Sequence, residues 1–189
     1  YRFIFLLCLY FLLNLAYSFK LKEVVLLDVF IIAAGFMMRV VGGAYAIRVE
    51  TSTWLVLCTL FISLFLGFAK RRSELMQTPD SSFAERKVLG RYRVSFLDQM
   101  LTISAAGTVI SYALYTVAKR TIDLFGTDKL IYTTVFVIYG VFRYLYLIHT
   151  TTTTDKPTDV VTSDVPILVT AILWVVACIV LIYFRGMLM

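Results

Sequence analysis

Six runs of apolar residues, at about 2–17, 24–47, 54–69, 98–118, 130–149 and 166–184, organise the chain, and charges and turn formers collect between them. A helix needs roughly 20 apolar residues to cross a hydrocarbon core about 30 Å thick. The pattern therefore predicts an all-α polytopic membrane protein with six transmembrane helices. The first and third runs are short and are expected to extend into their flanks. No internal repeat is visible.

Composition agrees with the pattern. Of 189 residues, 60% are hydrophobic, whereas soluble domains average nearer half. Cys8, Cys58 and Cys178 lie one each in three apolar runs, without metal or redox spacing, and read as packing residues. The single histidine, His149, falls at a helix end and gives little support to nucleophile–histidine chemistry. The chain opens at Tyr1, already inside an apolar run and without a charged leader. It is expected to be one membrane domain, residues 1–189, truncated at its N-terminus and derived from the C-terminal part of a longer protein.

Charge sets the expected orientation. Six spans place the loops at 18–23, 70–97 and 150–165 on one side, where they carry ten Lys and Arg residues; the other side carries six. The positive-inside rule puts the first side in the cytoplasm. The 70–97 loop is long and basic, and Pro79, Ser81 and Ser82 predict a turn between two polar helical pieces. The 150–165 loop, which opens with five threonines and carries Pro157, Asp159 and Asp164, is expected to be irregular and water-facing.

Ionisable residues inside spans cost about 2.5–3.5 kcal/mol on insertion scales and mark candidate sites. Asp28 lies about one turn into the second span, and Arg39 follows 11 residues later. At 100° per residue these two share a stripe with Ile32, Gly35 and nearly Gly42, yet stand about 16 Å apart along the axis, so each needs its own partner. The stripe suits a polar cavity; the alternative has Arg39 snorkelling outward and Asp28 near the interface. Arg143 reads either as an anchor in an aromatic belt with Tyr139, Tyr144 and Tyr146 or as an anion contact. Tyr17, Lys22, Asp28, Lys70, Arg71, Glu74 and Arg143 all fall at or just below the cytoplasmic surface by this topology. Together they suit a polyanion with a divalent metal. Lys70 and Glu74, spaced i,i+4, have the simpler alternative of pairing on a helix.

The segments YSFKLKEVVLLDVFIIAAGFMMRVVGGAYAI, STWLVLCTLFISLFLGFAKRRSEL and VFVIYGVFRYLYLI resemble the phosphoribosyl-transferring members of the UbiA-type intramembrane prenyltransferase superfamily. The resemblance implies a nine-helix bundle around a cavity open to the cytoplasm, of which this chain supplies the last six helices. It implies an enzyme of a bacterial cytoplasmic membrane that moves 5-phosphoribosyl from phosphoribosyl diphosphate to a polyprenyl phosphate. Diphosphate leaves with the help of Mg²⁺, and the product serves arabinose donors for the cell envelope. Nucleic acid is not an expected partner.

On that resemblance, Tyr17, Lys22, Lys70, Arg71 and Arg143 are candidates for substrate phosphates, Glu74 and Asp28 for metal or ribose, and Arg39 for the cavity lining. No catalytic residue is assigned. The acceptor is already an anion, so positioning and charge neutralisation carry the reaction. Lys-Arg-Arg-Ser-Glu stands where many superfamily members have a second aspartate-rich motif. The first such motif has no match here, so this stretch alone is expected to be inactive. The competing readings are an aromatic, 4-hydroxybenzoate-type polyprenyltransferase, which favours a carboxylate pair at that motif, and a non-enzymatic membrane transporter or lipid-binding scaffold.

Overall fold

A computed structural model describes residues 2–77, 88–150 and 162–183. The described residues form helices α1 (Arg2–Phe19), α2 (Leu27–Ala46), α3 (Thr53–Gln77), α4 (Val94–Val117), α5 (Lys119–Phe125), α6 (Thr134–Thr150) and α7 (Val165–Tyr183), with no strand among them. Short 3₁₀ turns at Leu21–Glu23 and Leu89–Arg91 lead toward α2 and α4, and one at Lys129–Thr133 leads into α6. Five helical segments, including the one that runs from Lys129 through α6, are long and apolar enough to cross a membrane, and Phe3–Phe19 is a shorter apolar helix. This is the all-α polytopic membrane protein that the pattern predicts.

The third span extends furthest beyond its apolar run. It continues to Gln77, so Lys70, Arg71, Arg72 and Glu74 ride on its last two turns and not in a loop. The expected turn at Pro79, Ser81 and Ser82 lies outside the described residues, as do Pro157 and Asp159. Asp164 is not simply water-facing. Its side-chain Oδ1 accepts the Ile167 N–H at 3.0 Å, and its carbonyl accepts the Leu168 N–H. It is the N-cap of α7.

The chain divides into two compact units, Tyr1–Thr108 and Val109–Met189. In the first, α1 packs on α2 and α2 on α3. Its core mixes Val29, Leu64, Phe65, Phe68, Leu97 and Leu101 with the polar Ser63 and Ser104, while many Phe and Leu side chains face outward. That arrangement is expected where the surroundings are lipid: small and polar groups lie between helices, and large apolar groups meet the acyl chains. Close approach depends on Gly67 of α3, where an added Cβ would stand 2.6 Å from Val29 Cγ1. In the second unit, α7 packs on α6 and on the 3₁₀ turn before it. Thr133 Oγ1 gives its proton to the Leu130 carbonyl, so Tyr112 Oη donates to Thr133 Oγ1 at 2.7 Å and accepts the Trp174 indole N–H at 2.8 Å, tying three segments together.

Candidate functional site

The three adjacent cations of α3 point three ways, as steps of 100° require. Lys70 is exposed. Arg71 turns inward toward α2, and Arg72 turns toward α4, where its Nε meets Asp98 Oδ1 at 2.6 Å and its Nη1 lies 3.2 Å from the Met76 sulfur. Both arginines are buried, at 5% and 7% exposure. Arginine can be buried this way because its planar fork reaches carboxylates on neighbouring turns and helices.

Arg71 is the centre of the arrangement. Its Nε lies 2.7 Å from Oδ2 of Asp28, and its Nη1 pairs with Glu74 Oε2 one turn further along α3. The Nε contact is a close ion pair without the alignment of a hydrogen bond. Asp28 is wholly buried in the first turn of α2, where a helix N-terminus favours negative charge. Its other oxygen, Oδ1, accepts the Tyr92 hydroxyl at 2.7 Å. Tyr92 comes from the segment just before α4 and also accepts the Leu26 N–H at 2.7 Å. Burial, and then the adjacent Asp28 carboxylate, push the Tyr92 phenol well above its ordinary value, so it remains a neutral donor.

The structure thus brings Asp28, Arg71 and Glu74 together, with Tyr17 of α1, half-buried, within electrostatic reach of Arg71. Glu74 pairs with Arg71 at i,i+3, in place of the i,i+4 partner Lys70 that the spacing alone offers. Arg71, expected on phosphate, is engaged by carboxylates on two sides. The exposed positive groups nearby in sequence include Lys70, Lys20 and Lys22 at the 3₁₀ turn before α2, and Arg91 and Arg93 on either side of Tyr92.

Arg39 stands apart from this cluster. It is exposed, its guanidinium lies 5.2 Å and 5.3 Å from the ring centres of Tyr10 and Phe36, and it donates to the Tyr10 hydroxyl. Asp28 and Arg39 therefore have separate partners, as their 11-residue spacing demands. Arg143 belongs to the second unit. It grips Asp164 with two nitrogens, at 2.9 and 3.3 Å, and lies 5.4 Å from the Tyr146 ring centre. The Arg143 hydrogen bonds hold the Asp164 carboxyl below its ordinary value.

Three participants are absent from the candidate site residues read from the sequence: Tyr92, Asp98 and Asp164. An aspartate just ahead of an apolar run is an N-cap signal and points to Asp164. Tyr92 and Asp98 have no such local mark. Among the described residues, no group of three or more His, Cys, Asp or Glu side chains is placed to hold a metal. Both oxygens of Asp28 are engaged, and Glu74 shares the same guanidinium, so this pair does not fit a primary Mg²⁺ site.

No family model matches the chain. It is 35% identical over 120 residues to a decaprenyl-phosphate phosphoribosyltransferase of Mycolicibacterium smegmatis, a match covering 63% of this chain and 38% of that protein. It is 30% identical over 180 residues to a protein of the same name from Corynebacterium glutamicum, covering 94% of this chain and 53% of the relative. A third, from Mycobacterium tuberculosis, is 31% identical over 106 residues, covering 56% and 35%. This chain is thus similar to decaprenyl-phosphate phosphoribosyltransferases, along nearly its whole length in the Corynebacterium case, and it spans about half the length of these relatives or less.

Proposed function

We propose that the chain is part of a UbiA-type membrane enzyme that transfers 5-phosphoribosyl from phosphoribosyl diphosphate to a polyprenyl phosphate. Diphosphate is released at the cytoplasmic side of a bacterial inner membrane, and the product serves arabinose donors for the cell envelope. The observation that carries this reading is the similarity extending over 94% of the chain to a relative named for that reaction. The charged end of α3 supports it. Glu74, held by Arg71 yet 21% exposed, is an acceptor suited to a sugar hydroxyl, and the exposed Lys70 on the same turn supplies charge for a phosphate. The acceptor phosphate needs no base, so these residues would act by fixing the donor and neutralising the diphosphate that departs.

The test uses membranes containing the full-length protein that carries this chain, labelled phosphoribosyl diphosphate, a polyprenyl phosphate and Mg²⁺. The cofactor is supplied because the resemblance implies it, although the described carboxylates do not fit a primary site for it. Label is expected in the lipid extract and absent without polyprenyl phosphate. Transfer of the prenyl chain to an aromatic acid instead, or movement of substrate with no bond formed, would replace this reading with one of its competitors.

A further inference from the structure

Tyr92 lies 64 residues from Asp28 in sequence, yet its hydroxyl makes two contacts at the start of α2. A hydroxyl has one proton to give. The Leu26 N–H can only donate, so the phenolic proton goes to Asp28 Oδ1. The direction of the pair is therefore fixed: Leu26 N–H to Tyr92, and Tyr92 O–H to Asp28.

Leu26 itself is unusual, with φ 69° and ψ −43°. This conformation is unfavourable for a residue with a Cβ and persists only where surrounding contacts hold it. The Tyr92 oxygen is such a contact. The Leu26 carbonyl then receives the N–H groups of Val29 and Phe30, starting the helix that carries Asp28. Tyr92 is 5% exposed, and its ring stacks on Phe96 with centres 6.3 Å apart. The hydroxyl is thus held in place by the ring's packing and does not wander to find a partner.

We propose that Tyr92 is a positioning residue: its hydroxyl holds the turn before α2 and one oxygen of Asp28, leaving the other oxygen aimed at Arg71. Through Arg71 this also sets Glu74. The proposal rests on the phosphoribosyl-transfer reading for its consequence in catalysis, but its structural part stands separately.

Two measurements on the full-length protein test it. Tyr92→Phe keeps the ring and removes the hydroxyl. Hydrogen–deuterium exchange should speed up at the Leu26 amide by about tenfold or more, while α4 keeps its protection. Asp28→Asn should leave the Leu26 amide near its parental rate, because the Tyr92 oxygen still accepts from it. Unchanged exchange at Leu26 in Tyr92→Phe, or loss of protection throughout α4, would overturn the positioning role.

In the transfer assay, Tyr92→Phe should lower kcat/KM by about 10- to 150-fold, the range for losing a hydrogen bond to a charged group. In an Asp28→Ala background, which leaves no carboxylate oxygen for the hydroxyl to hold, the same change should cost several-fold less than in the parent. Independent, multiplying losses would count against the proposal. If the parent makes no labelled lipid, the reaction is wrong and the exchange result alone decides the role of Tyr92.

Discussion

Replacing Arg71 by glutamine strands Asp28. The Asp28 side chain is 1% exposed and that of Arg71 7%. At a separation near 2.7 Å and an effective dielectric of about 20, the gross attraction is about 6 kcal/mol. Much of this is offset by the cost of removing both charges from water. The variant therefore reads something other than the net worth of the pair: it reads a carboxylate left buried without its cation. That loss is about 3–5 kcal/mol. Glu74, with its side chain 21% exposed, keeps partial access to water, which Asp28 lacks. Glu74→Gln alone should cost less than Arg71→Gln, because Arg71 keeps its Asp28 partner. The double variant Asp28→Asn/Arg71→Gln removes both buried charges and keeps the Tyr92 contact to the amide oxygen, so it should lose less than Arg71→Gln alone. Unfolding of the full-length protein in mixed micelles of rising SDS content, followed by circular dichroism, measures all four proteins. Arg71→Gln within about 1 kcal/mol of the parent, or a double variant weaker than that single one, would refute this account of the pair.

Lys70→Ala removes an exposed charge, so it should leave stability within about 0.5 kcal/mol of the parent and lower lipid labelling by about 10- to 150-fold; parental labelling would remove Lys70 from the site. Gly67→Ala should cost about 1–3 kcal/mol through collision with the buried Val29, less about 1 kcal/mol of helix propensity, and thermal unfolding would show the difference. Asp164 has its folded value lowered by Arg143, so its stabilising contribution is complete above the ordinary carboxylate value of about 3.9 and fades as the pH falls through the lower folded value. Asp164→Asn should flatten that acid limb in a pH series of unfolding midpoints.

The spans were legible because lipid imposes a length and a composition on each helix; five helical segments satisfy both, and Phe3–Phe19 is apolar but shorter. The end of the third was not. Charged residues after an apolar run read as an exit from the membrane, but Arg71 and Arg72 have Asp28 and Asp98 waiting on other helices, so the helix continues with its cations inside. The association of Asp28, Arg71 and Glu74 was partly visible as ionisable groups gathered near one surface. Their pairing was not, since i,i+3 and i,i+4 partners compete equally on a bare helix, and a carboxylate from α2 settles which cation turns inward. Tyr92 was hidden for a related reason. It sits between Arg91 and Arg93, and its partners are brought to it only by tertiary structure.

The Trp174–Tyr112–Thr133 contact gives the second unit an optical reporter of its own. The chain has two tryptophans, and Trp54 lies in the other unit at 36% exposure. In a Trp54→Phe background this chain would emit through a single indole whose N–H is hydrogen-bonded to a phenol. Its emission wavelength and lifetime would then follow the integrity of that junction, separately from events around α2 and α3.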